Sequence, residues 1–320
     1  MKRYNIYGRV KASAGDPDAQ TREFTELANK GKKIKQLSFY QNQLSRLTQK
    51  VYQPASFTLE KPTDENIQQE LKEIAECKFY KLFGDNTDDV LNFVSQNQRG
   101  ELERRESAWK EVKDFFDMIE ADKAECENGK YLDEYNQEYS NQEAFIIGET
   151  SYVETALDTI FSNISLPFDC TVEVDYKQKN QKAEINVEIP TFLNIPTLKT
   201  NISATYGRVS LKNKLIKEQD DDNSTCIIGL TYYLATLVFS ASANILQIEI
   251  SIWEQGKTNG LFWTSIKRDD ISSTGKFNPL VDVFNWDYIA NLRLLRGGTR
   301  LEPTPSQLFL KNISMRKEQS

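Results

Sequence analysis

A run of 26 residues without a charged side chain, residues 223–248, constrains the fold more than any other part of the sequence. A run of this length can span a membrane, but Thr, Ser, Tyr and Asn side chains interrupt it repeatedly. Its period also changes, because residues 227–241 carry apolar side chains at helical spacing whereas residues 246–252 alternate apolar and polar side chains. We therefore expect a buried helix that leads into a half-exposed strand.

Alternating side chains predict a β-hairpin on each side of this helix. Residues 170–176 and 183–189 form the first hairpin, which Pro190 ends. Residues 245–254 and 260–267 form the second. The resulting β-β-α-β-β core belongs to the α+β class, as a small, mostly antiparallel sheet with a buried helix.

The preceding part of the chain lacks this alternation and predicts helices. One helix starts after the cap Thr63 and stops at Gly84, a second covers residues 86–96, and a third covers residues 100–128 with Gly129 just past its end. A further helix is expected from a capping box at Ser151 and Glu154. We therefore divide the chain into a helical region, residues 1–145, and an α+β domain, residues 146–320.

Charge is unevenly distributed along the sequence. Residues 1–50 contain 11 basic and 4 acidic residues, whereas residues 51–150 contain 11 basic and 24 acidic residues. A basic head and an acidic middle favour either docking of one on the other or separate partners for each.

The third predicted helix, residues 100–128, is amphipathic. Leu102, Trp109, Val112 and Phe116 fall on one side, and charged residues fill most of the other. This side is either a surface for a partner or for oligomerisation, or it packs on neighbouring parts of the same chain.

Lysines are concentrated at the start of a helical pattern over residues 34–51. Lys30, Lys32, Lys33 and Lys35 lie at its N-terminal end, where the helix dipole disfavours cations. The cluster indicates either a phosphate or acidic partner, or simply a solvated surface.

Arginines recur near the end of the chain, where Arg293, Arg296 and Arg300 surround two glycines. Such a group can contact an anion or a nucleic-acid backbone. Because the net charge of the chain is −7, nucleic-acid binding stays open but is less favoured than a protein partner.

The absence of histidine excludes whole classes of catalysis. Neither a Ser-His-Asp nor a Cys-His nucleophile can form, and the usual zinc sites are excluded as well. Residues 251–258 read S-x-x-x-x-G-K-T, but a predicted strand follows where a phosphate-binding loop needs a helix, so we interpret them as a hairpin turn. Four separated cysteines and no visible export signal predict reduced thiols in a cytoplasmic protein.

Four carboxylates on the first hairpin leave one enzymatic alternative. Glu173, Asp175, Glu184 and Glu188 would share the polar face of two adjacent strands. Acidic clusters of this kind hold the metals of phosphodiester-cleaving enzymes, but the lysine that usually follows on the strand is missing. Either neighbouring elements supply Lys or Arg, or the face binds a cation or a basic partner.

A resemblance covers about residues 145–300, and no diagnostic motif marks it. The matching pattern consists of residues 152–164, Leu166-Pro167, residues 171–176, 183–190, 230–239 and 248–253. It is similar to a poorly characterised bacterial region in proteins described as restriction-endonuclease-like or as domains of unknown function. The resemblance implies an accessory segment in DNA restriction or anti-phage defence, and it transfers no catalytic residue.

These patterns predict a non-catalytic cytoplasmic interaction or accessory protein with a protein partner or a homo-oligomeric state. No cofactor and no membrane association are expected. The alternative is a carboxylate-dependent metal enzyme that acts on phosphodiesters, and the sequence leans against enzymatic activity without excluding it.

Overall fold

The computed structural model describes residues 1–8, 16–32, 47–83, 87–191, 193, 195–271, 279–283, 286–295 and 298–318. The helices are α1 (Pro17–Thr25), α2 (Leu27–Lys32), α3 (Asp64–Phe83), α4 (Thr87–Ile147), α5 (Thr150–Asn163), α6 (Ile216–Ala241), α7 (Arg268–Ile271), α8 (Pro279–Asp282) and α9 (Ser306–Lys317). The strands are β1 (Lys2–Ile6), β2 (Cys170–Lys177), β3 (Lys182–Ile189), β4 (Leu198–Ile202), β5 (Val209–Asn213), β6 (Gln247–Glu254), β7 (Asn259–Lys267), β8 (Asp287–Ala290), β9 (Leu292–Leu295), β10 (Gly298–Leu301) and β11 (Thr304–Pro305).

The chain forms two compact units. The helical unit comprises residues 47–138, and the sheet unit comprises residues 1–46 together with 139–320. Helix α4 contributes to both. The expected division after residue 145 lies near the border at residue 138, but the first residues of the chain belong with the sheet.

The sheet unit has the predicted α+β architecture. Its main sheet has the order β1-β2-β3-β6-β7-β11, and β8 also pairs with β7. Both predicted hairpins, β2–β3 and β6–β7, are confirmed as antiparallel pairs, and β3 and β6 are joined in parallel. Strand β1 pairs antiparallel with β2, an addition that the alternation of residues 170–189 did not reveal.

Helix α6 packs in the core on one face of this sheet. Leu230, Leu234 and Val238 are fully buried, and helices α1, α2 and α5 also contribute to the core. Within the described part of the chain, α6 is long and apolar enough to cross a membrane, but 83% of its apolar window is buried inside the protein. The predicted buried helix is therefore confirmed.

The start of α6 differs from the prediction. The helical spacing of the apolar residues covers residues 227–241, but α6 already begins at Ile216 and includes residues 220–222. Each carboxylate there has a different partner: Asp220 lies 3.9 Å from Arg300, Asp221 accepts from the Thr299 N–H at 2.8 Å, and Asp222 accepts from Lys214 at 2.7 Å. These partners stabilise three acidic residues within the helix.

Arg268 closes the C-terminal end of α6. Its guanidinium donates to the carbonyl oxygens of Phe239 (3.0 Å), Ile245 (2.8 Å) and Ser242. The last carbonyls of a helix have no partner within the helix, so a buried helix end needs such a donor.

Helix α9 covers the opposite face of the sheet near β6 and β7. Phe309 and Ile313 pack with Trp253 and Trp263, and the ring of Phe309 lies edge-on to that of Trp253. The ring also lies against Gly260, where an added Cβ would be only 2.0 Å from it. Glycine at this position therefore allows α9 to approach the sheet.

The helical unit is built on α3 and the first part of α4. Ile67 and Leu71 of α3 pack against Val94 of α4, and Arg105 of α4 donates to Glu70 at 2.7 Å. The predicted cap Thr63 is confirmed, because its hydroxyl accepts from the N–H of Asn66 at 3.3 Å.

Several predicted helix limits are wrong. Residues 86–96 and 100–128 belong to one helix, α4, which continues through Gly129 to Ile147. A glycine inside a helix costs only about 1 kcal/mol relative to alanine, so Gly100 and Gly129 do not end a helix of otherwise good helix formers. Helix α5 begins at Thr150, and its N-cap Glu149 makes no side-chain cap, so the predicted capping box does not form.

The helix expected over residues 34–51 falls largely outside the described residues. Its last five residues, 47–51, are described and are not helical, so the prediction is wrong there; residues 52–63 are not helical either. Residues 47–63 run as an extended segment, which we call the strap, along α4. Tyr52 of the strap donates from its N–H to Asn128 at 2.8 Å and from its hydroxyl to Glu120 at 3.0 Å.

The close approach at Gly260 predicts opposite effects for two glycine substitutions. We expect Gly260→Ala to lower the free energy of unfolding by about 1–3 kcal/mol, because Phe309 must move away from the added methyl group. Gly100 has nothing within 4 Å of the Cβ position, so Gly100→Ala should instead stabilise the protein by about 0.5–1 kcal/mol. Urea denaturation measures both. Equal effects of the two changes would contradict the proposed role of Gly260.

Candidate functional site

The polar face of the sheet carries all four carboxylates predicted as metal ligands. On β2 and β3, the side chains of Glu173, Asp175, Glu184 and Glu188 alternate with the apolar residues of the core. The strand register places Glu173 opposite Asn186, and Asp175 opposite Glu184. Like charges directly opposite each other destabilise a sheet unless cations lie between them.

Lys257 bridges two of these carboxylates. It belongs to the turn Gln255–Lys257 between β6 and β7, and its Nζ donates to Glu173 at 2.9 Å and lies 3.6 Å from Glu188. Gly256 adopts a φ of 77°, and its N–H donates to Glu188 at 3.1 Å. The lysine of the S-x-x-x-x-G-K-T segment thus serves as a counter-ion within a hairpin turn, as the predicted strand after it required.

Arg3 extends this pairing to the edge strand. Its guanidinium lies 3.8 Å from Glu173, which is almost fully buried. Glu173 therefore faces one cation from β1 and one from the turn after β6. A buried carboxylate requires such partners, because the loss of hydration is otherwise uncompensated.

The remaining two carboxylates pair with other cations. Lys177 donates to Glu184 at 2.8 Å and lies 3.8 Å from Asp175, and the amino group of Met1 lies 3.2 Å from Asp175. Burial raises the pKa of Glu184, but the hydrogen bond from Lys177 and the nearby Lys317 outweigh it, so the pKa lies below its usual value. Glu184 is therefore a carboxylate at neutral pH.

A fifth carboxylate on this face was not predicted. Glu249 of β6 is buried and pairs with Lys182 of β3 and with Lys317 of α9. Thus the face holds several separate ion-pair groups. Among the described residues, no three His, Cys, Asp or Glu side chains are grouped so that they could hold a metal ion.

The predicted basic contact residues are only partly described. Lys30 lies half-buried on α2 and Lys32 ends this helix, whereas Lys33, Lys35 and Arg296 lie outside the described residues. Arg293 and Arg300 face each other across the β9–β10 pair. Arg293 lies 3.1 Å from Glu302, and Arg300 lies 3.9 Å from Asp220, so both arginines have an acidic neighbour.

The strap covers one side of the amphipathic part of α4. Phe57 packs against the rings of Trp109 and Phe116, and the Trp109 N–H donates to the carbonyl of Leu59 at 2.8 Å. Part of the predicted apolar side thus packs on a neighbouring segment of the same chain.

Val112 of that side remains exposed, and together with the exposed residues beside it on α4 it forms what we call the apolar stripe: Val112, Phe115, Met118 and Ile119. Their exposed fractions are 52%, 60%, 52% and 45%. Together with Ala108, residues 112, 115 and 119 have the four-three-four spacing of a helix that pairs with another helix. Four large apolar side chains on adjacent turns form a patch of the kind that marks an interaction site.

An acidic edge runs beside the apolar stripe. Glu111, Asp114, Asp122 and Glu125 share one side of α4 with Met118, because the steps between them are three or four residues. No described residue forms an ion pair with any of these four. Other acids of the same helix do have partners: Lys113 pairs with Asp117, and Lys123 lies 3.5 Å from Glu120.

The chain matches no family model, no curated protein and no solved structure with which it was compared. Its function is therefore inferred from the geometry of these surfaces.

Sequence patterns did not identify Lys257 or the strap. Lys257 contacts Glu173, which lies 84 positions earlier in the chain, so the local spacing of residues cannot predict this ion pair. The strap is extended and has no periodic pattern. The one available signal was the presence of aromatic residues in it, which could pack on the wide apolar side of a neighbouring helix.

Removal of the lysine bridge should destabilise the sheet unit. We expect Lys257→Met to lower the free energy of unfolding by about 1–3 kcal/mol, between the values for exposed and for buried ion pairs. The double variant Lys257→Met with Glu173→Gln should recover part of the loss, because an amide needs no counter-ion. Lys212→Met, on the exposed strand β5, is the control and should change stability by less than about 0.5 kcal/mol. Urea denaturation measures all three variants. If the double variant were no more stable than Lys257→Met alone, this result would argue against the bridge.

Proposed function

We propose that the protein is a non-catalytic interaction protein, and that the apolar stripe of α4 with its acidic edge is its contact surface. The observation that carries this proposal is the exposure of four large apolar side chains next to four acidic residues that no described residue neutralises. Burial of the stripe on association supplies a favourable free energy, since apolar surface is removed from water.

The partner that fits this surface is an amphipathic helix with a basic edge. The four-three-four spacing suits helix pairing, and lysine or arginine beside an apolar stripe would complement the acidic edge. A second copy of the chain fits less well, because it brings its own acidic edge to the interface. An anionic membrane fits poorly for the same reason, since helices that bind such membranes carry basic edges.

The pairing of the sheet carboxylates favours this role over catalysis. Glu173, Asp175, Glu184 and Glu188 are each paired with a cation of the same chain, and these cations would compete with a metal ion for the carboxylates. Burial raises the pKa of the Cys170 thiol to about 12, so this thiol is protonated at neutral pH and is a poor nucleophile.

We further propose that the protein works in the cytoplasm as an accessory component in DNA restriction or anti-phage defence. Support for this context comes from the resemblance of residues 145–300 to a bacterial accessory region. Purification of the protein with a restriction or defence complex, and loss of that association on changing the apolar stripe, would test it.

A designed helical peptide tests the contact surface directly. We expect a peptide with leucine at the pairing positions and lysine along its edges to bind, and the same peptide with glutamate edges not to bind. Phe115→Asp should weaken binding at least tenfold without a loss of stability beyond about 0.5 kcal/mol, because Phe115 is exposed. Fluorescence anisotropy with a labelled peptide measures the affinity.

Val51→Asp is the matched control, because Val51 lies in the same unit and is 61% exposed. It should leave peptide binding unchanged. The proposed surface would be refuted if both peptides bound with equal affinity. It would also be refuted if Phe115→Asp bound the lysine-edged peptide as tightly as the unchanged protein does. A concentration-dependent dimer that Phe115→Asp abolishes would instead identify a second copy as the partner.

A metal titration tests the enzymatic alternative. We expect that Mg²⁺ and Mn²⁺ leave the melting temperature unchanged, because lysines and Arg3 already neutralise the carboxylates. A rise in melting temperature that Glu188→Ala abolishes would favour a carboxylate-dependent metal enzyme acting on phosphodiesters.

A further inference from the structure

The sheet unit contains a cavity of about 320 Å³. It lies between the end of β3, the first half of α6 and the ends of β6 and β7 next to their turn. Its volume falls at the lower end of the range of small-molecule sites, which is about 300–1,000 Å³. Its lining includes Ile189, Asp220, Asn223, Ile227, Glu254 and Leu261.

Glu254 is a buried carboxylate in the wall of this cavity, with 8% of its surface exposed. Its Oε2 accepts from the Asn259 side chain at 2.6 Å and from the Thr258 hydroxyl at 3.5 Å. No described residue donates to Oε1, and no described cation pairs with the group. A buried carboxylate with one free oxygen favours a cationic donor as its partner.

The wall on α6 adds three polar side chains, those of Gln219, Asp220 and Asn223. The Asn223 amide makes no hydrogen bond with a described residue, and Asp220 lies at the long distance of 3.9 Å from Arg300. The described lining residues include no lysine or arginine. The cavity is therefore negative, and an anionic ligand would be repelled.

Aliphatic side chains form another part of the wall, beside the polar Thr191 and Thr197. Ile189, Ile227 and Leu261 are buried residues of the core cluster and present hydrocarbon to the cavity. A hydrated metal ion would gain nothing from such a wall, whereas a short hydrocarbon chain would lose its contact with water there.

We infer that this cavity binds a small aliphatic amine. The ammonium group would lie against Oε1 of Glu254, and the hydrocarbon chain would contact the aliphatic wall. A second amino group, where the ligand has one, would face Asp220 and Asn223. This site lies in the sheet unit and is independent of the contact surface on α4.

Calorimetric titration with 1,4-diaminobutane tests the inference, and 1,4-butanediol serves as the neutral ligand of equal length. We expect the diamine to bind and the diol not to bind. Glu254→Gln should weaken binding at least tenfold, because it removes the charge and keeps the shape. Glu143→Gln, an exposed change on α4, should leave binding unchanged.

Asn223→Phe supplies a second variant in which Glu254 is intact and the cavity is filled, and it should also lose binding. Melting temperatures of all variants establish that they are folded. Absence of diamine binding by the unchanged protein, equal binding of diamine and diol, or full binding by Glu254→Gln or Asn223→Phe would each overturn the assignment.

Discussion

Burial of α6 is the constraint on which the sheet unit depends. The last two-thirds of this helix carry no charge, so apolar surfaces must surround it, and the sheet together with α1, α2 and α5 provides them. Its C-terminal carbonyls also end inside the protein, where Arg268 donates to them. Burial lowers the pKa of Arg268 to about 10, which is still far enough above neutrality for the cation to persist.

The two faces of the sheet differ in charge. One face is apolar and packs on α6, and the other gathers carboxylates that cations from β1, the β6–β7 turn and α9 neutralise. Charge on that face is balanced within the chain, so it offers little to a ligand. Within the described part of the chain, carboxylates without a basic partner lie beside the apolar stripe of α4 and in the cavity at Glu254, and the proposed cationic ligands would bind there.

The parts of the fold that sequence predicted are those with a local signal. Alternation identified both hairpins, and helical spacing identified the buried part of α6. The continuity of α4 was not predicted, because glycine commonly marks the end of a helix. Gly100 and Gly129 do not end this helix, since good helix formers surround them and a single glycine costs little. The candidate carboxylates were identified, but their partners were not: the contacts of Lys257 and Arg3 with Glu173 join distant parts of the chain, and only the sheet register brings them together.

The position of α9 has a consequence for folding during synthesis. Strands β6 and β7 leave the ribosome before α9 does, so Trp253 and Trp263 are exposed to water in the nascent chain until this helix is made. Of the two described counter-ions of Glu249, Lys182 is already present during that interval, whereas Lys317 is synthesised later, with α9. The polar face of the sheet is therefore completed late, and the exposed tryptophans of the unfinished chain are where a chaperone that recognises apolar surface would act.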